Sequence, residues 1–368
     1  MENVYQKYNV RRVINASGKM TILGGSKISD IVGENMLMGA KNFFVVKELQ
    51  EKVGEYLAER IGVESAYIVN SASGGIAQSV AAAIAGTDYH AIMHPYDERI
   101  TKREIVLPKG HNVDYGTTIA MPIQMGGGKL VEAGFANACS LDHVESEITA
   151  NTAALLYVKS HHAVQKGMPD MQAFIELGHK HNLPVIIDAA AEEDLAKYAN
   201  YGADVVIYSG TKALEGATSG LIVGKKAMID LVKLQNQGIG RVMKVGKEGI
   251  LGLAAAITQY LNKPKETIEQ QLARLEPFNA AINNINGLSA RSVQDGAGRA
   301  IMRSEITFDE QTIGKTTKQI VTELENGEVA IYTRAYRANE GKIEIDIRDV
   351  SDEEKIIIAE TLKTMLAQ

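Results

Sequence analysis

Between residues 66 and 224 short apolar runs alternate with amphipathic stretches, and this alternation limits the fold more than any other feature. Residues 66–69, 104–107, 129–132, 153–158, 184–188, 204–208 and 220–224 read as strands. Segments 74–85, 141–148, 170–181 and 192–200 read as helices between them. Short apolar strands repeatedly joined through helices predict an α/β fold with a mostly parallel sheet flanked by helices. Past residue 257 the pattern changes. One long helix over 265–284 precedes strands at 299–307 and 342–347 and helices at 314–326 and 351–366, which predicts a smaller C-terminal α+β domain. The expected division is an irregular, Gly-rich N-terminal arm (1–40), a large domain (41–262) and a small one (263–368), with Pro264 suited to a helix start. A length of 368 residues suits two domains at roughly 150 residues each.

Composition removes several classes of function. The longest apolar runs are too short to span a bilayer, and the N-terminus carries no apolar signal core, so a soluble, cytoplasmic protein with no membrane partner is expected. Cys139 stands alone, so neither an intrachain disulfide nor a Cys-rich metal site can form, and no metal is expected. The 39 basic and 45 acidic residues leave a net charge of −6 without a long basic tract, which disfavours nucleic acid as a partner.

Three segments carry chemistry, each at the C-terminal end of an expected strand, where open α/β sheets bind ligands. In Asn70-Ser71-Ala72-Ser73-Gly74-Gly75, small residues expose backbone N–H groups at a helix start, which suits a phosphate and equally an ordinary N-cap. Asp188 closes the apolar run 184–187 and is costly to bury without a cation or strong donor; a helix cap is the other reading. Tyr208-Ser209-Gly210-Thr211-Lys212 can project an amine into a cleft or leave it in solvent.

Phosphate loop, strand-end Asp and Ser-x-x-Lys occur in the order of the pyridoxal-phosphate enzymes of the aspartate-aminotransferase fold (fold type I), which the chain resembles. The segments at 11–18, 159–167, 188–194 and 209–220 resemble the selenocysteine-synthase-like branch. Within it they are most similar to the ammonia-lyases of D-glucosaminate 6-phosphate. The resemblance implies pyridoxal 5'-phosphate as cofactor, carried on Lys212, which also serves as the base at Cα. Asp188 would face the ring nitrogen; Ser71, Ala72, Ser73 and Ser209 would hold the phosphate; His111 would lie on the ring face. His161 is the expected further contact and acid, in preference to His162. The run Glu192-Glu193-Asp194 is expected to form the acidic first turn of a helix, with Glu192 a minor acid. Arg241, with Lys244 and Lys247, in a Gly-rich basic segment, would meet a substrate phosphate or a neighbouring subunit's cofactor phosphate, with a structural turn between helices as the other reading. Arg334, ahead of Arg337 and Arg348, would meet the carboxylate. The implied activity is ammonia elimination from a phosphorylated amino sugar acid, with a selenocysteine synthase-like transferase or aminotransferase as the alternative. A homo-oligomer, dimer or larger, is also implied.

Overall fold

The computed structural model describes residues 3–160, 162–264, 266–295 and 300–366. The chain forms two compact units, Lys27–Lys263 and a second made of Met1–Ser26 with Pro264–Gln368. The N-terminal forty residues are therefore not one arm. Their first part belongs with the C-terminal unit, while the helix Asp30–Lys41 packs in the large unit on the helix Lys247–Asn262.

In chain order the strands are β1 (Arg12–Ala16), β2 (Ser65–Val69), β3 (Glu104–Pro108), β4 (Lys129–Ala133), β5 (Thr152–Val158), β6 (Val185–Asp188), β7 (Val205–Ser209), β8 (Gly220–Gly224), β9 (Leu288–Gln294), β10 (Met302–Phe308), β11 (Val329–Thr333) and β12 (Lys342–Ile345). The large unit holds a seven-stranded sheet in the order β2-β8-β7-β6-β5-β3-β4. Neighbours from β7 through β6, β5 and β3 to β4 are parallel, and β8 runs antiparallel to both β2 and β7. Every residue of β5 is buried, as expected of a central strand with helices on both faces. Each fully buried Leu, Ile or Val there contributes roughly 1.5–3 kcal/mol over an exposed one.

This topology builds a ligand-binding edge. Because β8 opposes both neighbours, β2 points the same way as β7. Register then places Val69 opposite Gly220, Gly220 opposite Ser209, Ile207 opposite Asp188 and Asp188 opposite Val158. The ends of β2, β5, β6 and β7 thus share one edge with the start of β8. A Cβ at Gly220 would stand 2.6 Å from the Ser71 carbonyl carbon, so only glycine lets the turn after β2 cross β8 this closely.

In the other unit, β1 pairs in parallel with β11, and β12-β10-β9 form an antiparallel sheet. Its core gathers Ile14, Leu275, Phe278, Ile306, Ile331, Ile345 and Leu362. Arg303, 1% exposed, is neutralised by Asp295 at 2.5 Å and Asp346 at 3.2 Å.

The helix expected over 192–200 is not formed. Helix begins only at Lys197, and Glu192, Glu193 and Asp194 lie in a preceding loop. Asp194 caps the amides of Ala196 and Lys197. Tyr208 Oη donates to the Asp194 carbonyl at 2.9 Å and Tyr260 Oη to the Glu193 carbonyl at 2.7 Å. These bonds satisfy the loop backbone without helix formation. The expected strand from residue 299 begins at Met302, with Arg299 outside the described residues. The long helix starts at Ile268 instead of near Pro264, where Thr267 and Gln270 form a reciprocal cap.

Candidate active site

The turn after β2 ends in a capped helix, Ala72–Ala85, rich in alanine and glycine. Ser71 Oγ accepts the Gly74 amide at 3.0 Å. The amides of Ala72 and Ser73 belong to the first turn, which has no intrahelical acceptors, and they stand at the positive end of the helix dipole. The helix lies close on the sheet, since a Cβ at Gly75 would be 3.0 Å from Ile207 Cγ2. The N-cap and anion-site readings of this segment are compatible: Ser71 caps, while Ser73 and the first-turn amides point outward from the cap.

Asp188 ends β6 at 9% exposure. Its Oδ1 accepts the Ala190 amide at 3.1 Å. Burial pushes its carboxyl above the usual range, and the Lys212 charge and the Ala190 amide pull it part of the way back. Lys212 is therefore within electrostatic reach of Asp188. Lys212 is half-buried on a loop folded upon itself: Gly210 N donates to Ser219 O at 2.8 Å, and Gly216 N to Gly210 O at 2.7 Å. A Cβ at Gly210 would collide with Ser219 Oγ at 2.1 Å, so the loop ahead of Lys212 favours glycine at this position. Ser209 Oγ stands 3.2 Å from Thr211 Oγ1 at the head of this loop.

His111 departs from expectation. Its ring is fully buried, at 0% exposure. Nε2 stands 3.0 Å from the Val164 carbonyl and Nδ1 3.3 Å from the Val158 amide, which makes Nε2 the protonated donor and Nδ1 the acceptor. The Tyr157 ring meets it edge-on at 4.3 Å. No ring face is open, so His111 ties the ends of β3 and β5 together and is not placed to lie on a cofactor. Burial, opposed by the Val164 bond and reinforced by the Lys159 charge, lowers its pKa to about 4. A depressed histidine stabilises the fold above the ordinary imidazole range and loses that contribution as pH falls toward its folded value. The loss is on the order of 3 kcal/mol. His111→Asn is thus expected to flatten the fall in melting temperature between pH ~6.5 and ~4. An unchanged slope would place the acid sensitivity in another group.

His161 lies outside the described residues. Arg241 is exposed on the short helix Ile239–Val242, which packs on the Ala72–Ala85 helix, where a Cβ at Gly240 would reach Gln78 Oε1 at 2.8 Å. Lys247 does not join Arg241 and Lys244 as an anion ligand: its Nζ donates to the Gly39 and Ala40 carbonyls at 2.5 and 2.7 Å, capping the helix Asp30–Lys41. In the other unit, Asp346 clamps Arg348 through two bonds, and Glu340 and Glu305 hold Arg337. Arg334 is held less tightly, donating from Nη1 to Ser17 O at 3.2 Å, with Glu344 at 3.5 Å from Nε.

Sequence reasoning passed over Tyr115. It sits at the tip of a hairpin closed by an Asp114–Thr118 bridge, with Gly116 at φ +107°. Its hydroxyl is 2.9 Å from Ser73 Oγ. An Asp-Tyr-Gly-Thr sequence signals a tight turn, but nothing local shows that the turn reaches the helix start.

Among the described residues no helix is long and apolar enough to cross a membrane, and no His/Cys/Asp/Glu cluster is arranged to hold a metal. The family model described as L-seryl-tRNA selenium transferase (SelA) matches residues 47–350. A D-glucosaminate-6-phosphate ammonia lyase of Salmonella typhimurium is 42% identical over 98% of this chain and 97% of its own length. A 5'-C-glycyluridine monooxygenase-decarboxylase of a Streptomyces species is 39% identical over 98% of this chain and 92% of its own. A solved structure of D-glucosaminate-6-phosphate ammonia-lyase superposes with a TM-score of 0.95 at 42% identity, covering 100% of this chain and 99% of that one. The motif order read from the sequence and the sheet-edge geometry agree with these likenesses, and the chain belongs to the SelA family of selenocysteine-synthase-like, pyridoxal-phosphate-dependent fold type I enzymes.

Proposed function

We propose that this enzyme is a pyridoxal-phosphate-dependent ammonia-lyase that converts a phosphorylated 2-amino-2-deoxy sugar acid, D-glucosaminate 6-phosphate, into a 2-keto-3-deoxy acid phosphate and ammonia. The full-length likeness to the Salmonella lyase carries this reading.

The residues present fit the cofactor. A buried carboxylate at a strand end calls for a cationic partner, and Asp188 has the Lys212 charge only at a distance. A pyridinium N–H would supply that partner. Ser73, the Ala72 and Ser73 amides and Ser209 offer neutral donors suited to a phosphate. Lys212 would anchor the cofactor covalently. When bound, the group supplies an electron sink for charge developing at the substrate's Cα. Lys212 Nζ, freed from its anchoring role, takes the Cα proton. The 3-hydroxyl departs as water with a proton returned from Lys212 or from a histidine, His161 ahead of His162. Water regained on hydrolysis balances water lost, so the net products are keto acid and ammonia in equal amounts.

Arg241 would take the substrate phosphate and Arg334 its carboxylate. One charge-assisted contact is worth about 1.5–3 kcal/mol, or roughly 10- to 150-fold in affinity. Arg241→Ala is expected to raise KM for the phosphorylated substrate by about that factor and for its unphosphorylated analogue far less. Equal effects on both would make Arg241 structural.

The decisive assay supplies D-glucosaminate 6-phosphate to the cofactor-loaded protein and measures ammonia and 2-keto acid. Equimolar release supports the reading, and absence of both with a correctly loaded enzyme defeats it. The 39% relative favours a second reading, oxidative decarboxylation of a glycyl nucleoside, which would consume oxygen and release carbon dioxide without a keto-deoxy acid. A transferase would instead leave the cofactor aminated or pass the substrate's side chain to an acceptor. A homo-oligomer is part of the proposal. It is supported by an apolar ridge over Leu37, Met38, Phe43, Phe44, Val45 and Val46, all exposed, with Phe43 at 100%.

A further inference from the structure

Tyr115 is the one aromatic hydroxyl bonded to the helix start that carries the serine loop, among the described residues. The hairpin tip bearing it is fixed. Tyr115 N donates to Thr117 O at 3.0 Å, Gly116 N to Asp114 Oδ1 at 2.8 Å, and Ile119 N to Val113 O at 3.0 Å. Ile119, at the hairpin's base, is fully buried. The phenol ring is half-buried, packed against the apolar cluster beneath the helix Ala72–Ala85. The tip therefore delivers the hydroxyl to Ser73 with little freedom, and no large rearrangement is needed to keep it there.

We propose that the Tyr115 hydroxyl is a cofactor-phosphate ligand, completing with Ser73 and the Ala72 and Ser73 amides a cup of neutral donors. Two hydroxyls in mutual contact hold two hydrogens, and their shared bond uses one. The second is left for an anion oxygen, so the pair binds a phosphate without either group ionising. Burial raises the phenol's pKa, the Ser73 bond lowers it, and the Asp188 carboxylate raises it again. Tyr115 therefore stays protonated, as a donor, at neutral pH. The sheet register sets the turn after β2, which carries Ser73, on the same edge as Asp188. Asp188 would hold a cofactor's ring nitrogen, and Tyr115 with Ser73 would supply donors to its phosphate.

This inference rests on the cofactor reading above and not on the choice of substrate. The test is a binding titration of the cofactor-free protein with pyridoxal 5'-phosphate and, separately, with pyridoxal, which lacks the phosphate. Absorbance reports binding and tryptic peptide mapping after borohydride reports the attachment site. Wild-type protein that binds neither compound at Lys212 would defeat the cofactor reading itself. With wild-type binding in hand, Tyr115→Phe keeps the ring and removes the hydroxyl. It is expected to raise the Kd for pyridoxal 5'-phosphate by about 10- to 100-fold, the scale of a hydrogen bond to a charged group. The Kd for pyridoxal should stay within about twofold, as expected when no phosphate contact is involved. Ser73→Ala should show the same selectivity, and the double variant should lose less than the product of the two factors, because the hydroxyls act as a pair. Tyr115→Phe that binds both compounds like wild type, or weakens both equally, overturns the assignment. A variant that melts well below wild type is replaced by Ser73→Ala with Tyr115 retained, where the same selective loss of affinity for pyridoxal 5'-phosphate over pyridoxal is required.

Discussion

Lys212→Ala is expected to yield a folded protein that binds pyridoxal 5'-phosphate without covalent attachment and turns over too slowly to measure. The side chain is half-buried on a loop whose backbone bonds and glycine contacts do not involve its amine, so the fold loses little. Chemistry loses two functions at once, covalent anchoring and proton removal. General-base removal alone accounts for about 10²–10⁴-fold, and loss of the anchor adds to it, so a fall on the order of 10⁴-fold or more is expected. Borohydride should fix the cofactor on a Lys212 peptide in the wild type and nowhere in the variant. A label on another lysine, or turnover of the variant within tenfold of wild type, would remove Lys212 from its role.

Asp188→Asn separates stability from catalysis. An amide of the same shape still accepts the Ala190 N–H through its oxygen, so β6 and the following loop are kept. Catalysis should fall on the order of 10²-fold or more, because a neutral amide does not hold a ring nitrogen protonated. Stability of the cofactor-free protein moves the other way. The folded carboxyl titrates above its unfolded value, so its favourable contribution is fully present below the unfolded pKa and is lost as pH rises through the folded one. Above the unfolded pKa the wild type bears the cost of burying this group, as a charge or by taking up a proton, and the variant does not. Cofactor-free Asp188→Asn should therefore melt at or above wild type near pH 7, and the difference should disappear in acid. Near-normal turnover by the loaded variant would contradict the electrostatic role, and a lower melting temperature at pH 7 would contradict the burial argument.

The fully apolar strands were legible because β5, β6 and β8 are buried on both faces and leave no polar interruption. Apart from β11, a short apolar run that sequence reasoning passed over, the strands that the sequence concealed are of another kind. β1 lies among Asn, Ser and Gly, and β9, along an edge, intersperses exposed Ser, Arg and Gln with buried or half-buried Leu, Ala, Ser and Val, so neither shows a continuous apolar run. The acidic run at 192–194 imitates a helix first turn, but the Tyr208 and Tyr260 hydroxyls bond its carbonyls, and Asp194's own carboxylate caps the turn that follows. At the site, the order of serine loop, aspartate and lysine was readable because each sits just past its own strand. Tyr115, Lys247 and His111 were not, since their roles depend on partners distant in sequence: Ser73, the Gly39 and Ala40 carbonyls, and the backbone of Val158 and Val164.

The parallel pairing of β1 with β11 sets a clock on assembly. Arg12 leaves the ribosome long before its partner Val329, so this pairing cannot close until the intervening chain has been made. Closure of so large a loop is entropically slow and comes after local strand–helix units have formed. The large unit, whose contacts are contained within Lys27–Lys263, can consolidate during synthesis. Throughout that interval β1 is an unpaired strand carrying Val13 and Ile14, and anything fused or bound at the N-terminus competes for it directly.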